Sequence, residues 1–442
     1  MIMKKILFVV AVLLVALMSD ASARSLSKNR AEVLSRGEGY YKEIFMDGGT
    51  SLTSRKTLPS APFLGVDMEY FASSKANDDV DSLLQHKIFC GSEEDTNGWL
   101  LYPDGAPRYR MIYVNGGKAT KHTRTMGADG KSSILAFVNN GGSYVGTCAG
   151  AYAACKGSVM GKNDDVRTSK WYWSVWPGFV KATKLSKSQT GINIEKKSPL
   201  LRYFDFGGDF HIDSVRHNGG CYVYEGPKVA MPQGTEALAR YDFVNNKKVQ
   251  IDGCLAIWGY KPSEQSGRTV LCGSHPEGVK SGERLELMAS MVLYAMDGNP
   301  KPQVKATLES GEVREMNKRT EDNSPKFTRI GDRQYHHFAL NVPRRCKRMI
   351  ILLEGYEGED NYDLALAAKR GELAFLGNAN AKSQSKGCKK KLVVEKPKAG
   401  AWYVSVHCKS TVEAKVGARG TEYEGNLSVL NGVPYKISVR YE

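Results

Sequence analysis

The sequence predicts an α/β sheet domain followed by an all-β sandwich domain. Two apolar runs, Met111–Val114 and Gly142–Val145, have the composition of buried strands, and a helical stretch, Ser132–Asn140, lies between them. Reactive residues follow both runs, and reactive groups at the carboxyl ends of strands are typical of α/β sheets. From Phe327 onward the pattern changes to seven short strands, which fit a β-sandwich.

Residues 1–23 have the three parts of a secretory signal peptide. Met1–Lys5 is positively charged, Ile6–Met18 is apolar, and Ala21–Ala23 is a small-residue cleavage site. We therefore expect cleavage near Ala23 and a secreted protein, extracellular or periplasmic. No later run is long enough for a membrane span, so we expect none in the mature protein. The alternative is an N-terminus that anchors the chain in a membrane.

Composition divides the rest of the chain into four segments. Residues 24–59 are polar and glycine-rich, which predicts an N-terminal arm or linker. Residues 60–298 form the α/β domain, with its first strand predicted at Phe63–Val66. Residues 299–325 have few large apolar groups and predict a linker with a helix at Val304–Lys318, and residues 326–442 form the sandwich, with one strand predicted at Gly425–Val429.

Cys148 lies between Gly146 and Gly150, after an apolar strand and before a run of small helical residues. This is the thiol version of a nucleophile elbow, a turn so sharp that its central residue is strained and its side chain is lifted to a helix N-terminus. The N–H groups there favour a thiolate. The alternative is a buried core cysteine.

His275 and Glu277 flank a proline in the later stretch Leu271–Gly278. A cysteine nucleophile needs a base, and the base needs a third group to hold its ring, so this pair predicts the rest of a triad with Cys148. Taken alone, His275 would be an ordinary loop histidine.

A glycine pair, Gly116 and Gly117, follows the strand Met111–Val114. Glycines at the carboxyl end of a strand can expose backbone N–H groups to a ligand. We expect the amides of Gly117 and Ala149 to form an oxyanion hole. The alternative is a simple tight turn.

These motifs together resemble the class I glutamine amidotransferases, which have a flavodoxin-like sheet. The closer resemblance is to the amidotransferase-like domain at the N-terminus of biotin–protein ligases. Three stretches carry it: Gly141–Tyr152, His217–Gly220 and Gly267–Glu277. The resemblance implies that Cys148 is the nucleophile, His275 the base and Glu277 its orienting partner. Asn115 departs from it, because the family usually has proline before the glycine pair.

The C-terminal segment resembles the bacterial pre-peptidase C-terminal domain, through Gly358–Leu364, Pro397–Val404 and Gly432–Ile437. Such domains accompany secreted hydrolases, and the resemblance implies targeting or adhesion without chemistry of its own. Asp360 and Asp363 could bind calcium, but acidic turn residues are more often solvated caps.

Four residues are candidates for a substrate cleft: Asn115, Gly116, Tyr152 and Trp173. Trp173 belongs to an aromatic cluster, for which core packing is the favoured interpretation. Asp209, His211 and Asp213 alternate along a predicted strand and would permit a metal site, although three polar groups on a solvated strand face explain them better. We expect neither a metal nor another cofactor.

The formal net charge is +15, which in an exported protein favours an acidic glycan or cell-surface polymer as a partner. The charges are scattered without a nucleic-acid-binding motif, so we expect no specific nucleic acid partner. Nine cysteines fit an oxidising compartment, and with Cys148 set aside as a free thiol the pairing of the other eight stays open.

The sequence therefore predicts a secreted cysteine amidohydrolase or acyl transferase that acts on a small-molecule or peptide amide through Cys148, His275 and Glu277. We recognise no segment that resembles the ligase domain of biotin–protein ligases or an attached synthase. This favours a free-standing enzyme. The alternative is an exported, non-catalytic binding protein with a vestigial triad, which would bind peptide or glycan through an aromatic cleft and a basic surface.

Overall fold

The computed structural model describes residues 23–47, 58–71, 98–124, 127–161, 165–318, 327–358, 362–417 and 420–442. The predicted signal peptide lies outside the described residues except for Ala23, and so do Cys90 and Asp360. Within the described ranges, none of the helices has the length and apolar character needed to cross a bilayer.

Three of the described helices are longer than ten residues, and the other three are short. In chain order they are α1 (23–34), α2 (Ser60–Leu64), α3 (Ala119–Arg124), α4 (Gly127–Asn139), α5 (Ala149–Ala154) and α6 (Glu283–Asp297). Short 3₁₀ turns occur at Ser35–Gly37, Pro199–Arg202, Phe206–Gly208 and Leu427–Asn431.

The strands fall into an N-terminal and a C-terminal set. The first set is β1 (Lys42–Asp47), β2 (Met68–Phe71), β3 (Tyr109–Val114), β4 (Ser143–Thr147), β5 (Gly157–Met160), β6 (Asp165–Thr168), β7 (Phe179–Ala182), β8 (Ser188–Ile194), β9 (His211–His217), β10 (Cys221–Val223), β11 (Thr235–Asp242), β12 (Leu255–Tyr260) and β13 (Thr269–Cys272). The second set is β14 (Val304–Thr307), β15 (Val313–Met316), β16 (Tyr335–Val342), β17 (Arg348–Glu354), β18 (Leu364–Arg370), β19 (Ala381–Ser383), β20 (Lys390–Glu395), β21 (Gly400–Cys408), β22 (Val412–Gly417), β23 (Gly420–Gly425) and β24 (Tyr435–Tyr441).

The described residues of the N-terminal region form a mixed nine-stranded sheet in the order β2-β1-β3-β4-β13-β12-β11-β8-β9. The five strands from β2 to β13 are parallel, and the remaining four continue the sheet with antiparallel pairing. A smaller sheet, β10-β7-β5-β6, lies beside it. The architecture is thus a mixed, sheet-rich arrangement in which the half that contains β3 and β4 is parallel.

Alternating side chains of the central strands enter two different hydrophobic cores. In β3, Met111 and Tyr113 belong to the core that contains α6, whereas Ile112 and Val114 belong to the core that contains residues of α4 and α5. All six residues of β3 are buried, as expected for a parallel strand covered on both faces. Helices therefore cover both faces of the sheet centre.

The C-terminal strands form two larger sheets, β14-β16-β21-β18-β19 and β15-β24-β17-β20, and a two-stranded sheet, β22-β23. Apolar residues from both larger sheets, such as Phe338 of β16 and Ile351 of β17, belong to one buried cluster, so the region is sandwich-like. The predicted strand at Gly425–Val429 is wrong beyond its first residue. A 3₁₀ turn follows there, because the Asn426 side chain accepts the N–H of Ser428 and caps it.

The segment 24–59, predicted as an arm or linker, instead contains α1 and β1. Strand β1 pairs with β2 and with β3, and Ile44 is fully buried. The apolar stretch of β1 is only three residues long and lies between polar residues. The glycine-rich composition of the whole segment therefore predicts a linker. The strand predicted at Phe63–Val66 is also wrong, because α2 occupies Ser60–Leu64 and ends at Gly65, whose φ of 68° is left-handed.

The linker predicted at residues 299–325 is wrong over Val304–Met316, and so is its helix; residues 319–325 lie outside the described residues. Strands β14 and β15 occupy this stretch and are edge strands of the two larger C-terminal sheets. Edge strands are commonly polar, since charged side chains protect an open edge from pairing with other chains. That polarity gave the segment the composition of a linker.

The N-terminal region and the sandwich share a continuous buried contact. Arg108, just before β3, forms a buried ion pair with Asp332 of the sandwich, and its guanidinium lies 4.4 Å from the centre of the Trp99 ring. Trp99 and Ile330 belong to the same apolar cluster. The two regions are therefore packed together and are not separated by a flexible connection.

Candidate functional site

Three neighbouring parallel strands end at the same edge of the sheet and bring the predicted motifs together. Val114 of β3 pairs with Gly146 of β4, and Thr147 of β4 pairs with Cys272 of β13. The residues that follow the three strands therefore lie together at this edge of the sheet. The glycine pair, Cys148 and the loop that holds His275 converge there although they are far apart in the sequence.

Cys148 is held in a strained turn between β4 and α5. Its backbone has φ 47° and ψ −102°, a region that non-glycine residues rarely adopt. A Cβ on Gly150 would lie 2.0 Å from the carbonyl oxygen of Val114, and one on Gly146 would lie 2.7 Å from the Gly150 backbone. The two glycines are thus required for α5 to pack against β3 and β4. The side chain of Cys148 is almost buried, with 5% of the residue exposed.

His275 is fixed by contacts on three sides. Its backbone N–H donates to the carbonyl of Arg216 at 3.0 Å, and its Nδ1 lies 2.8 Å from Oε1 of Glu277. The thiol of Cys148 approaches the ring closely enough to contribute to its raised pKa.

Gly116 packs directly against this ring. A Cβ on Gly116 would lie 2.1 Å from Cε1 and 2.8 Å from Nδ1 of His275, so only glycine fits beside the imidazole. Gly116 of the predicted glycine pair therefore has a packing role at the site, independent of any contact with a ligand.

The environment of His275 favours its charged form. Burial alone would lower the pKa of the imidazole, but the hydrogen bonds and charges of Cys148 and Glu277 outweigh burial and raise the pKa to about 10. The imidazolium can then donate to the sulfur and to the carboxylate at once. Oε2 of Glu277 is buried without a hydrogen-bond partner.

The two amides predicted to form an oxyanion hole lie at the ends of β3 and β4. Gly117 is exposed and has φ 129°, a conformation that favours glycine. Ala149 is the first residue of α5, and the first N–H groups of a helix have no partner within it. The next amide, that of Gly150, donates to the carbonyl of Asn115 at 3.0 Å.

The four cleft candidates lie in different environments. Asn115 and Gly116 are buried at the site, and Oδ1 of Asn115 has no hydrogen-bond partner. Tyr152 is partly exposed and donates to the carbonyl of Gly220 at 3.1 Å. Trp173 is fully buried and packs edge-on against Tyr144, so its assignment to a cleft is wrong and it belongs to the core.

The predicted polar strand face does not form a metal site. His211 lies 3.3 Å from Asp213 and 3.0 Å from Asp242, which uses both ring nitrogens. Within the described residues, no group of three or more His, Cys, Asp or Glu side chains is arranged to hold a metal ion.

Sequence reasoning missed several buried groups around the site. The hydroxyl of Tyr113 lies 3.0 Å from Oγ1 of Thr147, and the thiol of Cys272 lies 3.3 Å from Oγ of Ser274. Burial raises the pKa of Cys272 to about 12, so that this thiol stays protonated near neutral pH. Tyr113 lies in the apolar run of β3, and Cys272 lies in that of β13. The sequence pattern of a buried strand does not distinguish a residue that faces a site from one that faces the core.

The cysteines that the structure describes are all free thiols. They are Cys148, Cys155, Cys221, Cys254, Cys272, Cys346, Cys388 and Cys408. Of these, Cys254 and Cys346 are partly exposed and the others are buried. No bridge between the two regions is formed by these eight residues.

A family model described as the N-terminal region of biotin–protein ligase matches residues 106–305, the part of the chain that contains the whole site. No curated protein matches the chain by sequence.

Three solved structures are similar to parts of the chain. A protein from Thermoplasma acidophilum, described as one of the subunits of a GMP synthase, has 12% identity and a TM-score of 0.33, covering 58% of this chain and 94% of that one. The pre-peptidase C-terminal domain of a Bacillus anthracis collagenase has 13% identity and a TM-score of 0.17, covering 32% and 99%. The lysozyme inhibitor PliG of Aeromonas hydrophila has 16% identity and a TM-score of 0.16, covering 25% and 76%. TM-scores this low imply no shared activity.

Proposed function

We propose that this protein is an exported cysteine amidohydrolase or acyl transferase that acts on a small-molecule or peptide amide. The observation that carries the proposal is that Cys148, in a strained turn, and the hydrogen-bonded pair His275–Glu277 converge at the carboxyl ends of three parallel strands. The match of residues 106–305 to the biotin–protein ligase N-terminal model supports the same site. We infer a class I amidotransferase-like, flavodoxin-like fold for this region and a pre-peptidase C-terminal type for the sandwich.

In the proposed reaction the Cys148 thiolate attacks the amide carbon, and the carbonyl electrons move onto the oxygen. The amides of Gly117 and Ala149 would stabilise this oxyanion. As the C–N bond breaks, His275 gives its proton to the departing amine and a thioester remains on Cys148. Water, or a second amine, deprotonated by His275, then attacks the thioester and restores the thiolate.

Glu277 would keep the ring of His275 in one tautomer and balance its charge. The raised pKa of His275 supports this role, since the imidazolium must be available at neutral pH to protonate a leaving amine. The proposal of export rests on the N-terminal sequence pattern. An exported protein with a net charge of +15 would favour an acidic glycan or cell-surface polymer as a partner.

The proposal is tested by the rate at which iodoacetamide alkylates each thiol, followed by peptide mass spectrometry. We expect Cys148 to react faster than Cys254 and Cys346, although both of these are more exposed. The variant His275→Asn should slow the alkylation of Cys148 by about 10²-fold or more, because the ring partner is lost. Cys254→Ser is the matched control and should leave the Cys148 rate unchanged.

A binding protein with a vestigial triad is the second candidate, favoured by the 5% exposure of Cys148. It predicts that Cys148 reacts no faster than Cys254 and that His275→Asn changes nothing. If Cys148 proves reactive, a panel of peptides and amides compared between wild type and Cys148→Ser would identify the substrate class.

A further inference from the structure

An open cavity of about 660 Å³ lies between the α/β region and the sandwich. This volume is within the range of roughly 300–1,000 Å³ that is typical of small-ligand sites, and interfaces between domains are common places for them. On one side it is lined by residues that precede β3, β4 and β13, such as Pro107, Gly141 and Gln265. The cavity is thus at the amino ends of the strands whose carboxyl ends carry Cys148.

The two sites are well separated. Strand β3 has six residues, and at about 3.3 Å per residue it spans roughly 20 Å. A molecule in the cavity would therefore not touch Cys148 or His275, and its binding can be tested without any assumption about the proposed reaction.

The sandwich side of the cavity is a rigid aromatic wall made of Tyr335, His337 and Phe375. The Phe375 ring packs edge-on against Tyr335 at 5.0 Å and against His337 at 5.1 Å between ring centres. The Tyr335 hydroxyl donates to Oε1 of Glu38 at 2.6 Å and accepts the N–H of Leu376 at 3.3 Å. The wall is preformed, so a ligand would not have to order it.

Two buried polar atoms on lining residues have no partner within the protein. His337 is 1% exposed, its Nδ1 bonds Oγ of Ser405 at 2.6 Å, and its Nε2 is unpartnered. Burial lowers the pKa of His337 to about 4, so the ring is neutral at physiological pH. The hydroxyl of Tyr102, also 1% exposed, is unpartnered too. Both atoms are closed off from solvent, so a ligand would reach them only after the lining side chains shift.

The charges that line the cavity cancel. Glu38 and Asp104 are matched by Lys301 and Lys305, and Lys305 forms an ion pair with Asp104. In a chain with a net charge of +15, a balanced lining argues against an anionic ligand. The remaining polar groups are mainly exposed amides, which both donate and accept hydrogen bonds: Asn139, Asn140, Gln265 and Gln303.

We propose that this cavity binds a neutral saccharide, with a sugar ring packed on Phe375 and its hydroxyls bonded to the amides. The C–H face of a pyranose is apolar and suits an aromatic wall, while its hydroxyls need the mixed donors and acceptors that amides supply. The size of the cavity, its aromatic wall and its cancelled charge all fit such a ligand.

The test is isothermal titration calorimetry of the full chain with chitotetraose, cellotetraose and maltotetraose. Phe375→Ala removes the wall, and Gln303→Trp fills the mouth of the cavity from an exposed position without cutting into the core. We expect at least one of the sugars to bind wild type and both variants to weaken it about tenfold or more. Phe327→Ala, an exposed phenylalanine outside the cavity, is the control and should bind as wild type does.

Tetragalacturonate and a neutral proline-containing hexapeptide are the competing probes. The proposal is overturned if none of the neutral sugars binds, if sugar binding is unchanged in both Phe375→Ala and Gln303→Trp, or if only the charged sugar or the peptide binds in a manner that these variants weaken. Cys148→Ser should bind the sugar as wild type does, so that failure here and failure of the proposed reaction are distinguishable.

Discussion

Replacing Gly116 with alanine should displace the His275 ring while leaving the fold intact. The added Cβ would lie 2.1 Å from Cε1 of His275, whereas ordinary van der Waals contact begins at 3.4 Å. The difference, 3.4 − 2.1 = 1.3 Å, is the least distance by which the two groups must separate. Gly116 does not have a left-handed φ, so alanine brings no backbone strain of its own.

The clash should be relieved by rotation of the ring, because the backbone of His275 is held by the carbonyl of Arg216. Rotation by this amount stretches the 2.8 Å contact to Glu277 and changes the position of the ring relative to Cys148. A displacement of about 1 Å in a reacting group can cost on the order of 10²-fold in rate. We therefore expect the alkylation rate of Cys148 to fall by about that factor.

The assay compares the iodoacetamide rate at Cys148 in Gly116→Ala, Gly377→Ala and wild type. A Cβ on Gly377 would meet its nearest neighbour at 3.5 Å, an ordinary contact, so this variant controls for the loss of a glycine. Circular dichroism of both variants should match wild type. A Cys148 rate in Gly116→Ala equal to that in Gly377→Ala would refute the reasoning, since the ring would then not depend on the space beside it.

Two further predictions concern the charges of the structure. In Glu277→Gln the pKa of His275, read from an NMR titration, should fall from about 10 toward 6.5. The pKa of His275 is raised in the folded state, so its protonation stabilises the fold fully below about pH 6.5 and less as the pH rises through about 10. Urea unfolding should therefore show that the loss of stability in Glu277→Gln becomes smaller between these two pH values. A loss of stability that grows with pH contradicts the prediction. Asp332→Asn removes the carboxylate of the buried ion pair with Arg108 and should lower the free energy of unfolding by about 3–5 kcal/mol. In Glu442→Gln the lost ion pair is partly exposed and the change should stay within about 1 kcal/mol.

The parts of the fold that the sequence could predict are those with long, uniform patterns. Strands β3 and β4 are continuous buried runs, and α6 has an apolar stripe that enters one core, so each was recognisable without its neighbours. Strand β1 and the edge strand β14 were not, because their pairing partners come from distant parts of the chain and their own composition is polar. Pairing with a partner, and not local propensity, fixes these strands.

The candidate site was predictable to the extent that its residues lie at strand ends. Cys148 and His275 occur just after apolar runs, and adjacent parallel strands bring such residues to one edge. The contact of Gly116 with the imidazole was not predictable, since a glycine pair after a strand has the same pattern in any tight turn. Trp173 was misplaced for a related reason: an aromatic cluster has the same composition in a cleft and in a core.

The packing between the two regions links the cavity to the ends of the strands that carry Cys148. Arg108 precedes β3 and holds Asp332 of the sandwich, while Asn299, just after α6, donates to the carbonyls of Arg110 and Gly141 at 2.9 Å. The ion pair fixes the amino end of β3 against the sandwich, and Asn299 ties the amino ends of β3 and β4 to the segment that leads into the sandwich. Because each strand is a single rigid element, loosening them would shift the turn at Cys148 as well. The sandwich thus supports the thiol from the far end of the sheet, and removal of the Arg108–Asp332 pair should slow Cys148 alkylation as well as destabilise the fold.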